Sequence, residues 1–347
     1  MSASEPERIR RLLVVRNDRI GDLVMSLPVF EAARRALPRA HVAALVAPYA
    51  APLLDNNPYL DEVVLDDASE SGWALGRRLR EGRFDAALVV NTNTRNSVAV
   101  WHARIPTRVL WSHKPAGLAL ATHHVTLHRS HPPVHEAEFA LAFVRRLGIH
   151  ARMAELHPRL DPDPAARRHA GECIEEKLGR EGPLFAIAPT SKGSAYNWPL
   201  ERYAGLASRL AAHGRVMVTG AAGDAEGLAR MQENIPQKAR GRVGVFTDFD
   251  LAEFIGALAE GDVMTASSTG PMHIAGALGT PVVALFSPNP VHSPAKWAPF
   301  GERNVLLVPA LEEGDDPDAP PERGREYMER ISVDEVVEAN LGLADRG

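Results

Sequence analysis

Cysteine is nearly missing from this 347-residue chain, with Cys173 alone. That excludes an internal disulfide framework and fits a reducing compartment. No apolar run approaches the roughly 18 residues of a membrane span, and Met1 to Arg11 is too charged for a signal peptide, so a cytoplasmic protein is expected. Paired cysteines and a clustered His-x-x-x-His set are lacking, so no structural zinc or other metal is expected. The Gly-x-Gly-x-x-Gly fingerprint is absent, which argues against a dinucleotide dehydrogenase. Acids are missing from residues 86–135, a stretch that carries Arg95, Arg104, Arg108, Lys114 and Arg129 with seven of the fourteen histidines.

What is present is ordinary globular composition, 45% hydrophobic and 24% charged. The net charge of -5 argues against a nucleic-acid partner but hides an asymmetry, since residues 1–160 carry a net +5 and residues 161–347 a net -10. Much of the acid lies in 312–338, eleven acids against three arginines, which reads as an exposed loop. Short β-branched runs alternate with segments of helical periodicity, predicting parallel sheets with crossover helices. Strands are read at Leu12–Val15, Val42–Val46, Glu62–Leu65, Ala86–Val90 and Arg108–Leu110, and helices at Leu23–Ala36 and Glu136–Leu147. After a proline-punctuated linker at Pro158–Pro164 the alternation restarts. Strands follow at Leu184–Ala188, Arg215–Thr219, Val243–Phe246, Val263–Thr265 and Val282–Phe286. The expectation is two doubly wound α/β domains, 1–160 and 161–347, with ligands beyond the carboxyl ends of the strands and the cleft between domains as the default active site.

The loops after those strands carry the candidate chemistry. Arg16-Asn17-Asp18-Arg19-Ile20-Gly21-Asp22 follows the first. Asp22 reads either as a helix N-cap or as a carboxylate acting as general base. Thr190-Ser191-Lys192-Gly193-Ser194 suits a phosphate or is a plain turn, and leads into Asn197-Trp198-Pro199 with proline in a first helical turn. Gly220-Ala221-Ala222-Gly223-Asp224 offers an acidic contact to a ribose or a flexible turn. The strongest local signal is Ser268-Thr269-Gly270-Pro271-Met272-His273. There Thr269 can cap, Gly270 admits a ligand to the backbone, Pro271 presets the first turn, and His273 can meet a phosphate. Asp-Pro-Asp occurs at Asp161 and Asp316, but in proline-rich loops rather than at a strand end, where a metal-dependent sugar transferase would place it.

These residues resemble a family. Leu12 to Pro28, reading L-L-V-V-R-N-D-R-I-G-D-L-V-M-S-L-P, the central N-W-P-L-E-R-Y and the later S-T-G-P-M-H-I-A-G-A-L-G-T-P-V-V-A-L-F-S-P are similar to the signatures of glycosyltransferase family 9, the ADP-heptose:lipopolysaccharide heptosyltransferases. H-E-A-E-F-A-L-A-F-V-R-R-L-G-I at 135–149 and the segment after Ile331 also match. The resemblance implies a two-domain GT-B fold, an N-terminal acceptor domain, a C-terminal nucleotide-sugar domain and inverting transfer without a metal. It implies Asp22 as catalytic base and Thr269, Gly270 and His273 as the pyrophosphate turn; Thr190, Ser191, Lys192 and Ser268 are further candidates for the donor's phosphates. Asp224 or Glu226 would meet the ribose and Phe249 the base. Arg16, Arg19, Arg95, Arg104, Arg108 and Lys114 are candidates for the acceptor's anionic groups.

The sequence departs from the family pattern twice. Tyr196 stands where the family usually has a lysine before Trp-Pro, and Ser268 stands where it usually has an acid before Thr-Gly, losing a charge-assisted contact to the donor sugar. The implied partners are an ADP-sugar donor, with no further cofactor, and an anionic lipopolysaccharide-core or glycolipid acceptor reached at the cytoplasmic face of the inner membrane. Two competing readings are a GT-B-shaped nucleotide-sugar epimerase and a binding protein with a decayed site.

Overall fold

The computed structural model describes residues 8–128, 133–191, 196–318 and 326–346. The chain divides into two compact units, Met1–Arg159 and Leu160–Gly347. In the first, strands β1 (Arg11–Val15), β2 (His41–Val46), β3 (Glu62–Leu65), β4 (Ala86–Val89), β5 (Thr107–Trp111) and β6 (His123–Val125) form one sheet in the order β3-β2-β1-β4-β5-β6. Every pairing is parallel. Helices α1 (Ile20–Val24), α2 (Leu27–Ala36), α3 (Gly72–Glu81), α4 (Thr94–His102), α5 (Pro115–Leu120) and α6 (Glu136–Arg145) connect or cover it.

The second unit repeats the plan. Strands β7 (Leu184–Ala188), β8 (Arg215–Thr219), β9 (Val243–Phe246), β10 (Val263–Ser267), β11 (Val282–Leu285) and β12 (Asn304–Leu307) lie in the order β12-β11-β10-β7-β8-β9, again all parallel. Its helices are α7 (Pro164–Leu178), α8 (Leu200–Leu210), α9 (Ala225–Glu233), α10 (Gln237–Arg240), α11 (Leu251–Ala259), α12 (Gly270–Leu278), α13 (Pro294–Trp297) and the C-terminal helix Val333–Ala344. Two doubly wound sheets of this kind are the GT-B architecture.

Covered parallel strands are buried on both faces and therefore read as continuous apolar runs, as β4 and β7 do with every residue buried. Edge strands lack that pattern. β12 is mostly half-exposed, and its short run Asn304–Leu307 gave no signal in the sequence. The helix read as Leu23–Ala36 is two helices, Ile20–Val24 and Leu27–Ala36. Pro28 is the cause, because its ring displaces the carbonyl four residues back and it has no N–H to continue a ladder. Pro199 likewise caps α8 rather than opening its first turn.

Candidate active site

At the carboxyl end of β1 a single guanidinium organises three carboxylates. Arg16 is 2% exposed. Its Nη2 donates to Asp22 Oδ1 at 2.8 Å and to Glu136 Oε1 at 3.0 Å, and its Nε donates to the Asp22 carbonyl at 3.0 Å. Asp18 Oδ1 lies 3.3 Å from Nε. Burial works against the charge on Arg16, and Asp18, Asp22 and Glu136 together more than offset it, holding the group above its ordinary value. One cation cannot neutralise three anions. Asp18 takes the difference: burial, opposed by Arg16 but reinforced by Asp22 and Glu136, pushes its carboxyl up to about 6.

Asp22 is the third residue of α1, and Arg19 occupies the cap, so the N-cap reading of Asp22 does not hold. Ser26 Oγ donates to the Asp22 carbonyl at 3.0 Å, fixing the turn from the other side. Glu136 is fully buried in the first turn of α6, where the free amides of the helix start favour a negative charge. Neither Asp18 nor Glu136 was marked by sequence reasoning. The available signal was an acid at the head of the apolar run E-A-E-F-A-L-A-F-V, a position that needs a cation once buried.

Beside this cluster the ends of β1, β3 and β4 carry a polar network. Asn17 Nδ2 donates to Asp66 Oδ2 (2.5 Å) and Asn96 Oδ1 (3.1 Å), while Asn17 Oδ1 accepts from Asn91 (2.9 Å) and Asn96 (2.8 Å). Arg95 grips Asp66 through two bonds of 2.9 Å.

The six basic candidates do not form one patch. Arg16 is buried, with Nε and Nη2 held by Asp22 and Glu136. Arg95 is spent on Asp66 and on the Glu70 and Asp67 carbonyls. Arg108 is the second residue of β5 and donates to the Leu120 and Ile105 carbonyls, and Arg104 follows the carboxyl end of α4. Both therefore sit at the amino edge of the sheet, opposite the loop of Asp22, because a crossover helix returns the chain to that edge. Arg19 is exposed at the cap of α1, and Lys114 follows β5 at the carboxyl edge, its Nζ 5.9 Å from the Trp111 ring centre.

In the second unit the chain reverses its direction across the sheet between β7 and β10, which opens the crevice at their carboxyl ends. Thr190 and Ser191 leave β7 there, and Ser268 to His273 leave β10 into α12. Lys192 lies outside the described residues. Thr269 holds the cap position of α12, but its hydroxyl donates back to the Ser267 carbonyl at 3.1 Å, so the side-chain cap bond expected of it is not made. Gly270 and Pro271 form the first turn, and His273 is buried one turn in, its ring 6.0 Å from Trp297. The N-W-P-L-E-R-Y segment lies under this turn: Tyr203 OH and Ser267 Oγ are 3.2 Å apart, and the Trp198 amide donates to the same Oγ at 3.4 Å. Burial pushes Tyr203 up to about 12, so it stays a neutral prop.

Asp224 ties two loops together, accepting from Thr190 Oγ1 at 3.1 Å and from the Ala221 amide at 2.9 Å through one oxygen. Glu226 is exposed and pairs with Arg230 one turn along α9. Phe249 stacks on Phe246 with centroids 5.4 Å apart and an interplanar angle of 13°. Both line a hollow of about 480 Å³ at the end of β9, together with Lys177 and Asp248. Among the described residues no group of three or more His, Cys, Asp and Glu is arranged to hold a metal ion, and no helix is long and apolar enough to cross a membrane.

The chain and its fold are similar to those of known proteins. A lipopolysaccharide heptosyltransferase 2 of Escherichia coli is 26% identical over 294 residues, covering 80% of this chain and 83% of its own. The solved E. coli ADP-heptose lps heptosyltransferase II superposes with a TM-score of 0.81 at 23% identity, covering 97% of this chain and 99% of that one. A glycosyl transferase family 9 protein of Veillonella parvula superposes at 0.84 with 20% identity, covering 97% and 98%. The sequence pattern of glycosyltransferase family 9 (heptosyltransferase) itself matches residues 72–319, a span that contains the crevice loops of the second unit. With that match over more than half its length, this chain belongs to glycosyltransferase family 9, the heptosyltransferases.

Proposed function

We propose that this glycosyltransferase moves a heptose, or a sugar close to it, from an ADP-sugar to an anionic acceptor of the lipopolysaccharide-core type, with inversion and without a metal. The observation that carries the reading is the carboxylate of Asp22, pinned at a strand end by the buried Arg16. Asp22 accepts the proton of the acceptor hydroxyl as that oxygen bonds to the anomeric carbon. The bond from that carbon to the β-phosphate oxygen breaks at the same time, and ADP departs with the electron pair. Attack opposite to the leaving group inverts the anomeric centre.

The second unit is read as the donor domain. Backbone amides of Gly270 and the first turn of α12, which has no side-chain cap bond, suit the charge that builds on the departing pyrophosphate. His273, Ser268, Thr190, Ser191 and Lys192 are assigned to the same anion. Asp224 has a carboxylate oxygen beyond those bonds for a ribose hydroxyl, whereas Glu226 is engaged with Arg230. Phe249 offers the ring face not covered by Phe246 to a base. The first unit is read as the acceptor domain, with Arg19 and Lys114 at its carboxyl edge for anionic groups. It would work at the cytoplasmic face of the inner membrane, where a lipid-borne acceptor is available.

The test is nucleotide selectivity followed by product analysis. ADP should raise the melting temperature more than UDP or GDP, and mass spectrometry with a panel of nucleotide sugars should show sugar transfer only when acceptor is present. Equal shifts for all three nucleotides contradict the donor class. Conversion of free nucleotide sugar without acceptor points instead to epimerase chemistry.

A further inference from the structure

The reaction leaves one prominent surface of the first unit without a role. Trp73, at the start of α3, is 53% exposed, and Trp101, near the end of α4, is 43% exposed. Single exposed hydrophobes are common, but these two rings touch edge to face with centroids 5.7 Å apart, and Trp73 also meets His102 at 4.7 Å. The contact requires the helices to approach closely. A Cβ at Gly76 would lie 2.7 Å from the Ala99 carbonyl oxygen, so only glycine allows the spacing.

Cations surround the pair. Arg77 and Arg80 follow Trp73 along α3 at helical spacing, and Arg104 follows α4. All three are exposed and lie near enough to His102 to add to burial in holding that imidazole below its ordinary value. The acids of the loop before α3 are matched by other arginines: Asp66 pairs with Arg95 at 2.9 Å, Glu70 with Arg78 at 2.8 Å, and the exposed Asp67 lies within reach of both; Glu81 closes α3, and the sequence of α4 has no acid.

We infer that the α3–α4 face is a docking surface for an anionic lipid bilayer, with Trp73 and Trp101 seated at headgroup depth and Arg77, Arg80 and Arg104 on lipid phosphates. Indole rings, apolar in body and polar at the N–H, concentrate at that depth. Clustered arginines add attraction to a negative leaflet that salt screens. The inference rests on the proposed function in one respect, that the acceptor is carried on a lipid.

Cosedimentation of the full chain with vesicles tests it. Binding is expected with phosphatidylcholine mixed with phosphatidylglycerol, should weaken in high salt, and should be absent with phosphatidylcholine alone. Trp73→Ala with Trp101→Ala, and separately Arg77→Glu with Arg80→Glu, should each lower the bound fraction about tenfold, while melting temperature and transfer to a delipidated, water-soluble acceptor stay unchanged. No binding to the anionic vesicles, equal binding to neutral ones, or binding untouched by both variants would overturn the proposal. Failure of the unmodified protein to transfer any sugar would count against the proposed reaction and leave the vesicle result standing.

Discussion

Arg16 and Glu136 meet at 3.0 Å although 120 residues separate them, and both are buried, at 2% and 0% exposure. Neither charge is tolerable alone in that setting. Arg16→Gln, which leaves the buried Glu136 with no cation beside Asp22 and Asp18, should therefore destabilise the protein by about 3–5 kcal/mol in urea unfolding. Arg16→Lys keeps the charge but loses the fork that reaches the Asp22 carbonyl, Asp22 Oδ1 and Glu136 together. That variant should lower kcat while leaving the KM for donor near its original value. A change confined to donor KM would show that Arg16 does not act through Asp22.

Asp22→Asn replaces the proposed base with a group of the same shape that cannot accept the proton. Turnover should fall by about 10²–10⁴, and the ADP-induced rise in melting temperature should persist. An Asp22→Asn enzyme with full turnover would remove Asp22 from the mechanism.

Asp18 imposes a pH dependence on stability. Its folded-state pKa, raised to about 6, exceeds the ordinary carboxylate value, so the native state binds the proton more tightly than the unfolded chain. Stability from this group is complete below the ordinary value and is lost as pH rises to about 6. Asp18→Asn, neutral throughout, should unfold at a higher urea concentration than the parent at pH 7.5, and the gap should close by pH 4.5. A gap that widens on acidification would show that Asp18 is stabilised as a carboxylate.

Gly276 lies in α12, where a Cβ would come within 2.7 Å of the Phe300 carbonyl oxygen and 2.8 Å of Pro299 Cβ. Backbone on one side leaves little to yield. Gly276→Ala should cost about 1–3 kcal/mol, read as a lower melting temperature, and should weaken ADP binding because α12 carries the proposed anion turn.

Much of the fold was legible because buried parallel strands declare themselves: β4 and β7 are unbroken apolar runs, and both were placed nearly to the residue. The break before α2 is marked in the sequence by Pro28 alone, while the apolar periodicity continues across it and reads as one helix. β12 was not legible, because three half-exposed residues and one exposed residue at an edge carry no period. In the site, the loop of Ser268 to His273 announced itself through Gly270 and Pro271, whose backbone limits are local properties. What Thr269 does with its hydroxyl was not local, and the Ser267 carbonyl captured it.

The sequence by itself determined the two α/β units, the strand ends where chemistry is possible and the family, because all three depend on apolar period and on motifs contiguous in the chain. Tertiary structure decided which charges remain for a ligand. Arg16 and Arg95 look in the sequence like basic residues available to an acceptor, yet folding sets them against Glu136 and Asp66, and Arg104 and Arg108 go to the opposite edge of the sheet. A charge's partner is fixed by a distance of a few ångströms in space, and residues 120 positions apart can supply it.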